Sequence, residues 1–195
     1  MIVLIPMGGK GSRFADEGYN LNKALIPVTS RNNGKKHPMA LSAMLDIPWC
    51  RTDSTKIICV NSLEHFKNGL ENKIKRSFPQ TIFIHDHIKL DQAFGCFLAR
   101  EFLETNDELF IGACDNGFNI NLKAFNKLKE TSDAIMLSHT DDLNIEQNPQ
   151  AHSWASLMND GETLDCLSFK KTVSNHPMND HATTGMFWFR SAKIF

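Results

Sequence analysis

Short apolar runs alternate with amphipathic segments from Ile2 to Ser138, and this alternation restricts the fold more than any other feature of the chain. Residues 2–6 are all apolar, as in a strand buried on both faces. A glycine loop follows over 7–13, and 15–37 is polar loop. Residues 38–45 predict a short helix that stops before Pro48, and 56–60 a second strand. Ser62 can cap a helix whose apolar face is Leu63, Phe66, Leu70 and Ile74. A strand at 81–84 precedes a helix capped by Asp91 that carries Ala93, Phe94, Phe97, Leu98 and Phe102. Strand 109–113, a helix after Asn121 with Leu122, Phe125 and Leu128, and strand 134–138 complete the series. Strands separated by helices call for a parallel sheet covered on both faces. The remainder reads differently: 154–158 and 163–169 flank turn residues 159–161 as a hairpin, and 185–190 is a last strand. No linker divides the chain, so residues 1–195 predict a single domain.

Composition excludes several classes. With 42% hydrophobic and 22% charged residues the chain is not disordered, and a net charge of −1 argues against a nucleic-acid polymer as partner. The longest apolar stretch, residues 1–7, is too short to span a membrane and lacks the basic segment of a signal peptide. The five cysteines are odd in number and never closer than the Cys50–Cys59 spacing, which fits neither a disulfide framework nor a zinc site. Reduced, mostly buried thiols in a cytoplasmic protein are the expectation. Charge is uneven. Lys10, Arg13, Lys23, Arg31, Lys35 and Lys36 face only Asp16 and Glu17 in the first 37 residues, while the rest is net acidic. That imbalance suits a local anionic ligand, or a solvated loop.

The loop Gly8-Gly9-Lys10-Gly11-Ser12-Arg13-Phe14 directly follows the first strand. Glycines there let backbone N–H groups approach phosphate oxygens. It is no dinucleotide fingerprint, because Phe14 stands at the third glycine position, and no P-loop, because G-x-x-x-x-G-K-[ST] is absent. What remains is a glycine loop carrying two cations. Asp115 ends the apolar run 109–113 and lies where ligands bind in open α/β sheets, although an aspartate can equally open a turn. His85-Asp86-His87 has metal-like alternation, but no third ligand accompanies it, and solvent-facing histidines explain it as well.

Gly9-Lys10-Gly11-Ser12-Arg13-Phe14, followed by Lys23-Ala24-Leu25, resembles the opening G-x-G-x-R-[FLM]…P-K-x-L pattern of the sugar-phosphate nucleotidyltransferases, the glucose-1-phosphate thymidylyltransferase-like family. Asn22 stands where that pattern has proline. The resemblance runs over nearly the whole chain and is nearest to the surface-polysaccharide (capsule) branch. It implies an α/β fold, a Rossmann-like three-layer sandwich on a mixed, mostly parallel sheet of the nucleotide-diphospho-sugar transferase type. It also implies roles. Gly8, Gly9, Lys10, Gly11 and Ser12 would wrap a triphosphate, Arg13 would hold the departing pyrophosphate, and Lys23 would sit by the reacting phosphates. Asp115 would bind Mg²⁺. In the segment Leu90 to Cys96, Gln92 and Gly95 would contact the base, with a plain Asp91-capped helix as the competing reading. Lys170 would hold the acceptor's phosphate and Gly185 its body, while Trp154 would shape the acceptor pocket, with a core residue or pocket wall as the competing reading. Phe169 replaces the glutamate that usually precedes this lysine.

The reaction so implied joins a nucleoside triphosphate to a phosphorylated small molecule with loss of pyrophosphate. Two unit charges 4 Å apart repel by about 1 kcal/mol in water and about 4 kcal/mol at an effective dielectric of 20. Bringing two such anions together therefore calls for the cations just named. A cytidylyltransferase for a non-sugar phosphate and a non-catalytic nucleotide-binding module are the alternatives, and a homo-oligomer is left open. The resemblance further places a second Mg²⁺-binding aspartate beyond Phe195, which makes residues 1–195 an expected part of a larger catalytic unit.

Overall fold

The computed structural model describes residues 1–88, 91–140 and 147–195. They form two compact units, residues 1–135 with 187–195, and residues 136–186.

In the first unit, β1 (Ile2–Pro6) is buried throughout, and Ile2, Val3, Leu4 and Ile5 are each wholly inaccessible. Burial of an aliphatic side chain of this size contributes about 1.5–3 kcal/mol, so this strand anchors the unit. The short α1 (Ser12–Asp16) follows the glycine loop. A two-stranded antiparallel ribbon of β2 (Pro27–Thr29) and β3 (Lys36–Pro38) then leads into α2 (Met39–Asp46). Next come β4 (Lys56–Ser62), α3 (Leu63–Lys67), α4 (Leu70–Ser77), β5 (Ile82–Asp86), α5 (Gln92–Leu98), β6 (Leu109–Ile111) and α6 (Leu122–Thr131). The strand order is β5-β4-β1-β6, and all three of these pairings are parallel. Residues 187–189, at the end of β10 (His181–Phe189), add an antiparallel edge to β6 in the register Phe187↔Ile111 to Phe189↔Leu109.

Alternate side chains of β1 serve opposite faces. Ile2 and Leu4 pack with Ile58, Val60, Ile111 and the α5 residue Cys96. On the other side, Phe110 meets Trp49 at 4.8 Å between ring centroids, and Trp49 meets Phe125 of α6 at 5.2 Å. This is the expected α/β arrangement, a mixed and mostly parallel sheet with helices.

The second unit contains β8 (Trp154–Leu157) and β9 (Leu164–Ser168), an antiparallel hairpin with an irregularity between Ser156 and Leu157. The first part of β10 pairs antiparallel with β8, His181 opposite Ala155. Trp154 and Ala182 are fully buried there against Val173 and Met178. β7 (Ala134–His139) pairs with β10.

Four local expectations are corrected. The helix anticipated after Ser62 is two helices, because Gly69 adopts φ +70° and ends the first. Leu63 and Phe66 are consequently 42% and 54% exposed, and only Leu70 and Ile74 reach the core. The polar stretch 15–37 is not loop alone but contains the β2–β3 ribbon and a 3-10 turn at Lys23–Leu25. The end of the expected loop 7–13 is already helical from Ser12. The last strand begins at His181, before the expected position. The Asp91 cap forms as anticipated, accepting from Phe94 N, and Asn121 also caps the helix that follows it, accepting from Ala124 N.

Candidate functional site

The carboxyl end of the parallel sheet is where its loops gather the chain's unusual polar groups. The Met7 amide donates to the Val60 carbonyl at 2.8 Å and ends the β1 ladder. Gly8 then lies so close to the Asp86 side chain that a Cβ would collide with the carboxylate. Gly11 adopts φ +66°, and a Cβ there would come within 3.1 Å of Lys23 Cβ. Both positions need glycine, one for close approach and one for the left-handed backbone. Lys10, Ser12 and Arg13 are exposed on the loop and on the first turn of α1.

Lys23 opens the 3-10 turn, and its Nζ lies 2.9 Å from Asp115 Oδ2, which arrives from the loop after β6. The side chains are 23% and 25% exposed, so this pair is only partly screened by water. Burial works to lower the Lys23 pKa, but the Cys114 sulfur, the Asp115 charge and the Asp115 hydrogen bond outweigh it against opposition from Arg13. The net shift is upward, and Lys23 is an ammonium at neutral pH. Burial pushes the neighbouring Cys114 thiol up to about 11, partly offset by Lys23, so it is uncharged there. Cys50, Cys59 and Cys96 are likewise buried, whereas Cys166 is exposed.

Asp115 brings a partly exposed carboxylate to this arrangement, a group of the kind that can ligate a divalent cation. Its carboxylate already draws a cation to 2.9 Å, and Mg²⁺ commonly takes one or two carboxylates with phosphate oxygens completing its shell. Among the described residues no group of three or more His, Cys, Asp or Glu could hold a metal by itself. His85, from the His85-Asp86-His87 run, instead contacts Glu71 at 2.8 Å.

Gln92 is exposed at the start of α5, and Gly95 is buried in it, where an added Cβ would come within 3.0 Å of Pro6. Leu90 lies outside the described residues. The other sequence candidates belong to the second unit. Lys170 is exposed with φ +54°, the only non-glycine with positive φ among the described residues. Phe169 beside it is 80% exposed. Gly185 lies within β10 with φ +73°. Trp154 is buried, its indole N–H donating to the Pro149 carbonyl at 3.0 Å. The sequence reading did not single out His65, whose Nε2 meets Asn22 Oδ1 at 2.8 Å. Its only local sign is a histidine three residues after a capping serine.

No family model matches the chain, and no curated protein matches it in sequence. Solved structures do match in fold. One assigned as a glucose-1-phosphate thymidylyltransferase from Bacillus anthracis, in complex with sucrose, superposes with a TM-score of 0.73 at 20% identity. The match covers 100% of this chain and 73% of that one. The inositol-1-phosphate CTP transferase from T. maritima gives a TM-score of 0.71 at 13% identity, covering 99% and 71% of the two chains. HddC from Yersinia pseudotuberculosis, complexed with GMP-PN, gives 0.68 at 16% identity, covering 99% and 77%. The fold is thus the Rossmann-like α/β fold of these structures. Among the described residues no helix is long and apolar enough to cross a membrane.

Proposed function

We propose that the chain is a nucleotidyltransferase that transfers a nucleoside monophosphate from a nucleoside triphosphate to a phosphorylated small molecule and releases pyrophosphate. The observation that carries this reading is the Lys23–Asp115 pair beside the glycine loop at the carboxyl end of β1. The names of the fold neighbours, thymidylyltransferase and CTP transferase, support it.

In this reading an oxygen of the acceptor phosphate attacks the α-phosphorus. The bond from that phosphorus to the bridging oxygen breaks, and pyrophosphate carries away the electron pair. No protein nucleophile is required; holding two anions in line and offsetting their charge suffices. Gly8, Gly9, Lys10, Gly11 and Ser12 hold the triphosphate, Arg13 the departing pyrophosphate and Lys23 the reacting phosphates. Gln92 and Gly95 are assigned to the base, and Lys170, Trp154 and Gly185 to the phosphorylated acceptor. Asp115 would hold Mg²⁺, which supplies charge neutralisation at the phosphates when bound. Lys23 keeps the Asp115 carboxylate oriented and remains cationic over the physiological pH range.

A sugar phosphate in surface-polysaccharide synthesis is the acceptor class we favour, with the enzyme acting in the cytoplasm. A non-sugar phosphate used with CTP is the second reading, favoured by Phe169 at the usual glutamate position and by the inositol-phosphate enzyme among the fold neighbours. Pyrophosphate release, measured with a matrix of nucleoside triphosphates and phosphorylated sugars or polyols, separates the two. Absence of release across the whole matrix would refute both, and nucleotide binding without release would make the chain a non-catalytic module.

A further inference from the structure

The Ser62 N–H at the end of β4 donates to His65 Nδ1 at 3.2 Å. That contact makes Nδ1 an acceptor and assigns the proton of the neutral ring to Nε2. Nε2 lies 2.8 Å from Asn22 Oδ1, so the imidazole donates to the amide oxygen. The same oxygen accepts from Ala24 N at 3.1 Å, and the amide Nδ2 reaches the Gly9 carbonyl in a long contact of 3.5 Å. His65 is 0% exposed, and leaving one of its ring nitrogens unpaired there would cost about 1–3 kcal/mol.

Capping the 3-10 turn needs only the bond to Ala24, which a serine could supply. The two further contacts go elsewhere. They join the glycine loop, the Lys23 turn and the β4–α3 junction, segments separated by 13 and 43 residues. Lys23 follows Asn22 directly, and Gly11 lies close enough to it that an added Cβ would come within 3.1 Å of the Lys23 Cβ. A displacement of the Asn22 amide would therefore move both the loop backbone and the Lys23 ammonium.

We infer that Asn22 and His65 are positioning residues: together they hold the glycine-loop backbone and Lys23 in the register that receives a triphosphate. This rests on the nucleotide reading above for its ligand, but not for its geometry. Asn22→Ser keeps the turn cap and loses the reach to His65 and Gly9. His65→Phe keeps an aromatic ring and removes both hydrogen bonds.

Three measurements on the full chain test the idea. Amide hydrogen exchange without ligand should quicken about five- to tenfold at Phe14 and Ala15, whose amides donate to the Gly11 carbonyl, in Asn22→Ser, while β1 and β4 amides are unchanged. The apparent affinity for inorganic tripolyphosphate should weaken about five- to tenfold in each variant. Where the parent turns over a triphosphate, KM should rise by a similar factor with a smaller change in kcat. The double variant should be no worse than the poorer single one, because both break the same connection. Unchanged loop exchange in Asn22→Ser, or effects of the two substitutions that multiply, would overturn the inference. If the parent binds neither tripolyphosphate nor any nucleoside triphosphate, the nucleotide reading fails, and the exchange result still decides whether Asn22 and His65 hold the loop. Should His65→Phe not fold, Asn22→Ser carries the test alone.

Discussion

Replacing Asp115 by asparagine keeps the shape of the side chain and removes its charge. The Lys23–Asp115 contact is 2.9 Å, with about a quarter of each side chain exposed. Charges roughly 4 Å apart at an effective dielectric near 20 attract by about 4 kcal/mol. Desolvation and the ordering of a long lysine side chain offset most of that, and the amide oxygen can still accept the Nζ–H bond. The expected net cost to folding is therefore about 1 kcal/mol. For a chain of this size that lowers the melting temperature by about 2–4 °C. Catalysis should suffer far more. Asp115 is the proposed anchor of the Mg²⁺ that would offset the phosphate charge, and losing a preorganised offset of that kind costs on the order of 10²–10³ in turnover. The assay pairs a thermal melt with pyrophosphate release across a Mg²⁺ titration. Turnover that is unchanged at limiting Mg²⁺ would remove Asp115 from the metal. A collapse of stability in step with activity would make the pair structural instead.

Arg13→Ala, at an exposed position on α1, should lower turnover at least about tenfold with a melting temperature within about 2 °C of the parent; equal losses in melting and turnover experiments would make Arg13 structural. Lys170→Gly should stabilise the chain by about 0.5–1 kcal/mol, because the φ of +54° is easy for glycine and strained for lysine, while turnover falls; unchanged turnover in a steady-state assay would contradict the phosphate role. Gly8→Ala should destabilise by about 1–3 kcal/mol in urea unfolding, since its Cβ meets the buried Asp86 carboxylate; a neutral result would show that the loop has room to shift. Stability should decline as pH rises above about 9. The folded thiols of Cys50 and Cys96 are pushed up to about 12 from 9.0 by burial, so in this window the unfolded chain releases protons that the folded chain keeps. Lys23, whose pKa is raised above 10.5, adds a loss of the same sign at higher pH still. Melting curves from pH 7 to 11 check this, and a flat profile would contradict it.

The sheet was legible in the sequence because its parallel strands are apolar runs and the helices α5 and α6 carry capping residues at their starts. Asp91 and Asn121 are such caps, and both accept the amide three residues on. The break at Gly69 was less legible. Leu63, Phe66, Leu70 and Ile74 have helical spacing, and only the left-handed glycine shows that the first two belong to another, more exposed helix. The β2–β3 ribbon was missed because each strand has three residues and its sequence is mostly polar. Within the candidate site, Lys23 and Asp115 were each singled out by their place after an apolar run or within a motif. Their pairing across 92 residues is a tertiary fact with no local signature. The Asn22–His65 bond is similar: at the sequence level Asn22 was only a departure from proline.

The central claim is that this fold joins a nucleoside monophosphate to a phosphate ester. The most direct test supplies a nucleoside triphosphate labelled at the α-phosphorus together with a phosphorylated acceptor and Mg²⁺, and follows the label. The account requires the label to appear in a diphosphate-linked product, with one pyrophosphate released for each product formed. Label recovered only as free nucleoside monophosphate or diphosphate, or left wholly in the triphosphate across the full matrix of bases and acceptors, would contradict it.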